Sequence, residues 1–561
     1  MSDAIGKVTA TERSPTTTTN LAFWVRDGVQ VRPFDMVRVK HISNNPSERT
    51  HSYSYAIIQE LHFITDSSGH LANYVSSDFG DVMATPLNER LGTTLGFGEV
   101  LYNDQDIEMP VREGATVEWA DEEGILRALG IADLRRPLPA GFIRMSNGKE
   151  IPISIDADYL IGPEGAHLNI AGISGLATKT SYAMFLLNSL QQLQKDSDDK
   201  VSIIVFNVKG RDLLHLHEPL ESSDLPKGLT IDRLRDDWAR CGLEAKPFDN
   251  VTYLYPYDKE KPSGYHTSSH AERDGLKRQV DDGIAFNYFY DVERGKRKLS
   301  LLFSDIEDRQ STLVSCLDAT RGFNDSNWDR LKSTVRGHTQ AGSGKNQQIT
   351  VSSWRRFARL LDSRTKDGIF AEPGTSPEKR LKTVEQAVCD LKPGNVLVID
   401  IEPLAPYLQA LVVGDVMQTI LALKLGDDEF ELGEENPDLG RVVIFADELN
   451  KFAPRADSTG VLTEKLREIA GRGRSLGMIL FGAEQFRSGV DEQILGNCST
   501  NVYGRTSPVE IARGREYSFF SKSNQATITG LPKGSLMLQH AIFRASLLKV
   551  SFPFPFYHQP K

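Results

Sequence analysis

The feature that most constrains the fold is an apolar strand that leads through small residues into an apolar helix. Residues 167–195 read HLNIAGISGLATKTSYAMFLLNSLQQLQK. Leu168, Ile170 and Ile173, flanked by glycine, predict a short strand. Apolar residues at helical spacing between Ala183 and Leu193 predict a helix. A strand, loop and helix in this order are typical of an α/β domain.

The loop of this unit is suited to holding phosphate. A loop that ends at a helix N-terminus directs several backbone N–H groups towards phosphate oxygens. In such loops a lysine reaches the β- and γ-phosphates and a hydroxyl holds Mg²⁺, which gives these roles to Lys179 and Thr180. The predicted nucleotide-binding residues of the loop are Gly172, Ser174, Gly175, Leu176, Ala177, Thr178, Lys179, Thr180 and Ser181.

The spacing of this loop differs from the G-x-x-x-x-G-K-[ST] pattern. The step from Gly172 to Lys179 is one position longer than in the pattern, and Thr178 replaces its second glycine. Two interpretations are open. The loop is a phosphate loop with an extra residue or with replaced glycines, or it is a plain turn between a strand and a helix.

A second motif favours the phosphate loop. Residues 441–448 read RVVIFADE, an apolar strand that ends in two acids. Asp447 would hold Mg²⁺, and Glu448 would orient and deprotonate the attacking water. The alternative is a strand followed by an acidic helix cap. An acid pair after an apolar strand, downstream of a candidate phosphate loop, favours the catalytic role.

Length and composition exclude several classes of protein. The chain has 561 residues, of which 39% are hydrophobic and 25% charged, as in soluble proteins of two to four domains. It lacks an apolar run long enough to span a membrane and an apolar N-terminal signal, so we expect a cytoplasmic protein without membrane contact. The four cysteines lie far apart, which argues against a metal or disulfide framework. The net charge of −11 argues against a basic nucleic-acid coat but allows a local basic lining.

Changes of texture along the chain predict four segments. Short strands separated by turn residues predict a small β-barrel over 1–150, with a long polar loop or partner-facing insertion at 65–98. Continuous apolar strands predict the α/β core, and loosely periodic charged helices predict an insertion. The core is expected at 151–214 and 393–561, interrupted by a mostly helical insertion at 215–392.

Two features of these segments allow specific expectations. Residues 342–345 of the insertion read GSGK, but no apolar strand precedes them and Asn346 follows, so we interpret them as a flexible basic loop that could touch DNA. The tail 552–556 reads FPFPF, which cannot form a helix because of its prolines. It packs on its own chain or braces a neighbouring one.

Residues 463–485 suggest further catalytic groups. A helix is predicted over 463–470, followed by the sequence GRGRSLG, with a turn at 473–477, and a buried strand that ends near Gln485. In ring ATPases a polar residue on such a strand senses the γ-phosphate, and an arginine from a neighbouring subunit neutralises charge in the transition state. Gln485 and Arg474 suit these roles by position. The alternative is a strand-end cap and a surface pair formed by Arg472 and Arg474.

The order of these parts resembles the HerA-type hexameric ATPases of the FtsK–HerA group of P-loop NTPases. The resemblance implies an α/β fold with a RecA-like ATPase core, an N-terminal HAS-type barrel on one face of a six-membered ring, ATP between subunits and double-stranded DNA in the central pore. Its implied roles are Lys179 and Thr180 for phosphate and Mg²⁺, Asp447 for Mg²⁺, Glu448 as base, Gln485 as sensor, and Arg474 as finger in trans, with Arg472 or Arg505 as substitutes. Asn207 stands where the family has an acidic residue at a strand end.

The resemblance also implies a partner enzyme. Archaeal relatives work with the NurA nuclease, and bacterial relatives are encoded beside anti-phage effectors, including sirtuin-type NAD hydrolases and nucleases. The altered loop is more similar to the bacterial defence branch. Two functions follow: a DNA translocase or helicase driven by ATP hydrolysis, or a nucleotide-gated hexameric scaffold that assembles an effector without processive translocation. A membrane-coupled DNA pump is disfavoured because no membrane segment is predicted.

Overall fold

In the computed structural model the chain folds into two compact units. One comprises Met1–Asp156 and Glu516–Phe552, and the other comprises Ala157–Arg515 and Pro553–Lys561. The structure describes residues 4–76, 78–83, 91–173, 178–193, 200–261, 264–306, 308, 311–340, 349–374, 379–426, 437–456 and 460–560. The GSGK segment at 342–345 lies outside them.

The elements are numbered in chain order. The strands are β1 Ala4–Thr9, β2 Asn20–Val25, β3 Met36–His41, β4 Ser52–Thr65, β5 Gly92–Asn103, β6 Thr116–Trp119, β7 Pro137–Arg144, β8 Glu150–Asp156, β9 Leu168–Ala171, β10 Val201–Asn207, β11 Val251–Pro256, β12 Ala285–Tyr288, β13 Val396–Asp400, β14 Arg441–Asp447, β15 Met478–Glu484, β16 Thr500–Tyr503, β17 Ser535–His540 and β18 Leu548–Ser551. The helices are α1 His70–Ser76, α2 Glu122–Leu129, α3 Ala157–Leu160, α4 Thr178–Leu193, α5 Ile231–Arg240, α6 Arg273–Asp281, α7 Val292–Arg297, α8 Leu299–Leu302, α9 Thr312–Arg321, α10 Trp328–Gly337, α11 Val351–Arg364, α12 Val384–Cys389, α13 Pro406–Leu425, α14 Leu449–Phe452, α15 Val461–Leu476, α16 Glu492–Gly496, α17 Pro508–Arg513 and α18 Lys522–Gly530.

The first unit contains the predicted barrel. Strands β1 to β6 close in the order β1-β2-β5-β4-β3-β6, and each neighbouring pair is antiparallel. Side chains such as Phe23, Val37 and Ile58 are fully buried in its core. A second, antiparallel sheet of this unit pairs β7 with β8 and β18 with both β7 and β17.

The bounds of the long loop or partner-facing insertion predicted at 65–98 are wrong, because they include the last residue of β4 and the first seven residues of β5. Strand β4 continues to Thr65, β5 begins at Gly92, and the two strands pair along the whole distance as one long hairpin. Helix α1 lies in the connection. The outer part of β4, from His62 to Thr65, is exposed.

The second unit is built on a parallel sheet. Eight strands lie in the order β12-β11-β13-β10-β14-β15-β9-β16, and every neighbouring pair is parallel. Strands β10, β13 and β15 are buried at every residue, which explains their continuous apolar sequences. Strand β15 lies between β9 and β14, and this order together with the barrel confirms the predicted fold class.

The helical segment between 215 and 392 also contributes to this sheet, because β11 and β12 form its edge. Helices α8 to α13 supply side chains to one large apolar core. Helix α13 is the one helix in the described part of the chain that is long and apolar enough to cross a membrane, but 67% of its most apolar window is buried inside the protein. Packing on both sides therefore explains its composition.

Two further expectations meet different outcomes. The turn expected at 473–477 is wrong, because α15 continues to Leu476 and Gly477 ends it in the left-handed conformation with φ 68°. Gly473 allows this, since its missing side chain lets the helix contact the backbone of Met478.

The tail packs on its own chain: the indole of Trp238 donates to the carbonyl of Phe554 at 2.9 Å.

Candidate nucleotide site

The predicted site residues gather at the edge where the parallel strands end. Strands β9, β15, β14 and β10 are neighbours, and their carboxyl ends are followed by Gly172, Gln485, Glu448 and Val208. Ligands of open α/β sheets bind at this edge. The strand order thus brings together two motifs that are about 270 positions apart in sequence.

The candidate phosphate loop connects β9 to α4. Lys179 and Thr180 lie in the first turn of α4, as predicted, and Ser181 follows them as a buried residue. Thr178 is the first residue of the helix. The predicted loop residues Ser174, Gly175, Leu176 and Ala177 lie outside the described residues.

The entrance to this loop is held by both neighbouring strands. The amide of Gly172 donates to the carbonyl of Glu484 at 3.1 Å, and the amide of Ile173 donates to the carbonyl of Arg505 at 2.8 Å. A Cβ on Gly172 would lie 3.3 Å from the Cα of Gly504, which is tighter than most such contacts. Close packing of two backbones therefore explains the glycine at position 172.

Lys179 carries an ammonium group that has no hydrogen-bond partner among the described residues. The residue is 7% exposed, and its Nζ atom makes no hydrogen bond to any of the described residues. A buried ammonium whose hydrogen bonds are not satisfied is costly. A phosphate group would supply both the negative charge and the acceptors, so this side chain fits the nucleotide that the sequence predicts.

Asp447 and Glu448, at the end of β14, differ in backbone conformation and in hydrogen bonding. The chain turns at Glu448, whose φ of 55° lies in the left-handed region. A residue other than glycine pays of order 1–3 kcal/mol for such a conformation, and strain of this kind clusters at functional sites. Asp447 accepts a hydrogen bond from the amide of Glu448 through Oδ1 at 2.9 Å.

Glu448 and Gln485 form a direct pair. The side chain of Gln485 donates from Nε2 to Oε1 of Glu448 at 2.9 Å, and Glu448 is 8% exposed. The bond fixes one carboxylate oxygen and leaves the second oxygen of Glu448 for another donor. This is the arrangement expected of a base held in place by a sensor.

The positive charge of Lys179, at the end of the candidate phosphate loop, acts on the carboxyl of Asp447. Burial raises the pKa of the Asp447 carboxyl above its usual value, while the ammonium of Lys179 and that of Lys209 act to lower it. In the described residues, no group of three His, Cys, Asp or Glu side chains could hold a metal alone. The predicted magnesium ligands are Thr180 and Asp447, and Mg²⁺ in nucleotide sites usually takes its other ligands from phosphate oxygens and water.

The sequence interpretation missed a buried polar network beneath the loop. Glu484 on β15 is fully buried and accepts a hydrogen bond from Nδ2 of Asn169 on β9 at 3.0 Å. The guanidinium of Arg487 donates to Oδ1 of Asn169, and to Oδ1 of Asn501 at 2.8 Å. The signal that could have revealed it is the placing of Asn169 and Glu484 inside apolar strands.

Glu484 is expected to make stability depend on pH. Burial raises its pKa from 4.5 to about 8, although Arg487, Asn169 and Lys179 oppose the shift. Between these values the folded chain keeps a proton that the unfolded chain releases, so the free energy of unfolding falls as pH rises from about 4.5 to about 8. Each pKa unit of separation corresponds to roughly 1.4 kcal/mol at most. Glu484→Gln should remove this slope in denaturant unfolding at a series of pH values.

Glu464→Gln provides the matched control for that measurement, because Glu464 is exposed on α15. We expect it to leave the pH profile of the wild type unchanged. Parallel profiles for wild type and Glu484→Gln across this range would contradict the assignment of the slope to Glu484.

The predicted arginines Arg472 and Arg474 lie at the edge of the sheet opposite to Lys179. Arg472 and Arg474 are exposed near the end of α15, where Arg474 donates from Nη1 to the carbonyl of Glu164 at 3.0 Å and Arg472 lies 3.9 Å from a carboxylate oxygen of Glu468. This is the edge where β15 begins. The seven residues of β15 span roughly 20 Å, so Arg474 does not reach the Lys179 of its own chain. Arg505 instead follows β16, on the same edge as Lys179.

Asn207 makes polar contacts at the end of β10. Its Nδ2 donates to Oδ1 of Asp400 at 2.8 Å and to the carbonyl of Gly210 at 3.1 Å. Burial raises the pKa of Asp400 to about 6, against the hydrogen bonds from Ser269 and Asn207. The polar edge of the sheet therefore extends from β9 to β13.

Comparisons with known proteins give weak similarities. No protein-family model matches the chain. No curated protein matches it either. Among solved structures, the bacterial conjugative coupling protein TrwBdeltaN70 is 14% identical, with a TM-score of 0.41 over 73% of this chain and 88% of that one. VirB4 of Thermoanaerobacter pseudethanolicus is 12% identical, with a TM-score of 0.39 over 75% of this chain and 97% of that one.

A third similar structure is the genome packaging NTPase B204 from Sulfolobus turreted icosahedral virus 2, in complex with ATP-gammaS. It is 12% identical, with a TM-score of 0.22 over 30% of this chain and 72% of that one. At TM-scores below 0.5 these similarities are too weak to assign a function. The geometry of the chain itself is the stronger guide.

Proposed function

We propose that this chain is the subunit of a HerA-like ring ATPase that hydrolyses ATP to translocate or remodel double-stranded DNA. The observation that carries the proposal is the buried ammonium of Lys179, which lacks a hydrogen-bond partner among the described residues and lies on the sheet edge that also holds the Glu448–Gln485 pair. A protein that only bound nucleotide would need the first feature and not the second.

The residues of this edge divide the work of hydrolysis. Lys179 and the backbone at the start of α4 bind phosphate oxygens. Thr180 and Asp447 would hold Mg²⁺, which neutralises phosphate charge when it is bound. Glu448 takes the proton of the attacking water, and Gln485 holds the carboxylate in position.

The position of Arg474 supports assembly into a ring. An exposed arginine at the edge opposite to the phosphate loop cannot serve its own site, but it can serve that of the next copy in a head-to-tail ring. An arginine supplied in trans stabilises the charge of the transition state. We propose a homo-hexamer, in line with the family that the sequence resembles.

Mixing of variants tests this ring. Lys179→Met lacks a working phosphate site and Arg474→Ala lacks the finger, so each should be inactive alone. In mixed rings, roughly a quarter of the interfaces combine an intact site with an intact finger, and hydrolysis should recover to about that fraction of the wild-type rate. The measurement is phosphate release after the variants are mixed in equal amounts.

The control is Arg233→Ala, since Arg233 is an exposed arginine on α5. Arg233→Ala should hydrolyse ATP at the wild-type rate when assayed alone. When it is mixed in equal amounts with Lys179→Met, the rate should fall only as expected from dilution of active subunits. A wild-type rate for Arg474→Ala, or a mixture as inactive as its parents, would contradict the assignment of Arg474 as the finger in trans.

We assign the barrel face to a partner effector, either a nuclease or a sirtuin-type NAD hydrolase, in an anti-phage system. Supporting this, the β4–β5 hairpin and its connection expose large apolar side chains, with Phe63 69%, Leu71 75%, Phe79 68% and Val82 92% exposed. Such patches mark interaction sites. Co-purification with an enzyme encoded beside this chain, followed by assays of DNA cleavage and NAD hydrolysis, tests the partner class.

A further inference from the structure

The helical part of the second unit carries a strong local excess of positive charge. Over 328–340 and 349–366, which contain α10 and α11, the chain has eight lysines and arginines but only two aspartates and no glutamate, a net charge of +6. The whole chain has a net charge of −11. A local excess of this size, against the charge of the rest, is the footprint expected of a surface that meets a polyanion.

The two helices hold this charge on a fixed scaffold. Trp328, Leu331 and Val335 of α10 are buried in the large core of the unit. Helix α11 buries Trp354, Phe357, Ala358 and Leu361 in the same core. The opposite face of α11 exposes Arg355, Arg356 and Arg359, which is the pattern of an amphipathic helix with a basic outer face.

Contacts between the helices fix their relative position. The ring of His338, just after α10, stacks on Trp354 of α11 with centroids 4.7 Å apart, and on Phe323 at 5.4 Å. Arg336 donates twice to Oδ2 of Asp362, with a shortest distance of 2.8 Å. The basic groups of the two helices are therefore presented together.

Several of these cations have no carboxylate partner. Arg336, Arg356 and Arg364 form ion pairs with Asp362, Asp308 and Asp305. No ion pair involves Arg330, Arg355, Arg359 or Lys366 within the ranges that the structure describes, and all four are exposed. Their side chains reach, at most, backbone carbonyls: the Nε groups of Arg355 and Arg359 donate to the carbonyls of Thr339 and Arg355 at 3.3 Å.

Folding does not account for this arrangement. Arg355 and Arg359 are four positions apart on α11, and like charges at this spacing destabilise a helix by roughly 0.2–0.5 kcal/mol. A chain with 76 acidic residues could have placed an acid at either position. A charged ligand compensates for the repulsion, because a row of phosphates meets both guanidinium groups.

We infer that the exposed basic face of α10 and α11 binds the phosphate backbone of duplex DNA. Arg355 and Arg359 are its central contacts, and Arg330 in the first turn of α10 and Lys366, two residues after α11, are further exposed cations of this helix pair. The contacts are to phosphate, so they hold the duplex without reading its sequence. This inference shares the choice of DNA as partner with the proposed function, but it concerns a surface distinct from the nucleotide site.

Binding of the full chain to a mixed-sequence duplex, measured by fluorescence anisotropy over a range of salt concentrations, tests this inference. The logarithm of the binding constant falls with the logarithm of salt concentration by about 0.9 per phosphate contact. The double variant Arg355→Gln/Arg359→Gln should therefore reduce the slope by about two and weaken binding roughly tenfold at low salt. Its basal ATP hydrolysis without DNA should match that of the wild type.

The matched control is Arg233→Gln/Arg235→Gln. Both residues are exposed on α5, whose three arginines are balanced by three aspartates, so the change in net charge is the same but no basic face is lost. The control should keep the slope and the affinity of the wild type. An equal loss in both double variants would overturn the inference, because it would show a general charge effect.

Two other results would also overturn it. One is a wild type that does not bind the duplex. The other is a wild type that binds vesicles containing phosphatidylserine more tightly than DNA, with the loss in Arg355→Gln/Arg359→Gln confined to the vesicles. ATP hydrolysis measured on the same samples separates a failure of this surface from a failure of the proposed ATPase.

Discussion

Glu448→Gln is expected to lower the rate of ATP hydrolysis by a factor of about 100 to 10,000 while ATP binding persists. The amide oxygen of the new side chain can still accept the hydrogen bond that Gln485 now donates at 2.9 Å, so the shape of the site is kept. The variant loses only the ability to take a proton from water. Phosphate release and the binding of a fluorescent ATP analogue, measured on the same sample, check both parts.

Glu464→Gln is the control for this change, because Glu464 is exposed on α15 and its charge is removed in the same way. It should hydrolyse ATP at the wild-type rate. A Glu448→Gln variant that retains most of its activity would show that Glu448 is not the base.

Lys179→Met is expected to make the protein more stable and inactive at the same time. The buried ammonium has no hydrogen-bond partner among the described residues, so exchanging it for an apolar side chain of similar length should raise the free energy of unfolding by about 1–3 kcal/mol. The same change removes the cation that meets phosphate. Hydrolysis should fall by a factor of about 100 or more.

Thermal unfolding with and without ATP separates these effects. ATP should raise the unfolding temperature of the wild-type protein, because any ligand that binds the folded state stabilises it. Without ATP, Lys179→Met should unfold at a higher temperature than the wild type, and ATP should raise that temperature no further. Lys451→Met, at an exposed lysine of α14, is the control and should behave as the wild type does. Lower stability of Lys179→Met would mean that Lys179 has a structural partner and is not held ready for phosphate.

The sequence predicts the core strands well for a physical reason. Strands of a parallel sheet bury both faces, so β10, β13 and β14 appear as continuous apolar runs that need no tertiary information to find. The positions of Lys179 and Thr180 at the start of α4 follow from the change of period between β9 and that helix. The pairing of Gln485 with Glu448 also follows, once β15 is placed beside β14.

Other parts of the fold and of the candidate site depend on contacts between residues that are far apart in the sequence. The network of Asn169, Glu484 and Arg487 exists only because β9 lies beside β15, and no local pattern encodes that neighbour. Strand β12 has four residues, too few for a period to show in a mostly helical segment. The run GRGRSLG predicted a turn from its glycines, but packing of α15 onto β15 kept it helical as far as Leu476.

Release of phosphate from ATP by the purified protein, with and without duplex DNA, is the measurement that tests the central claim most directly. We predict hydrolysis that duplex DNA stimulates and that is lost in both Lys179→Met and Glu448→Gln. Wild-type protein that binds no ATP and releases no phosphate under either condition would contradict the claim. Protein that binds ATP and assembles but never hydrolyses it would identify the chain as a nucleotide-gated scaffold.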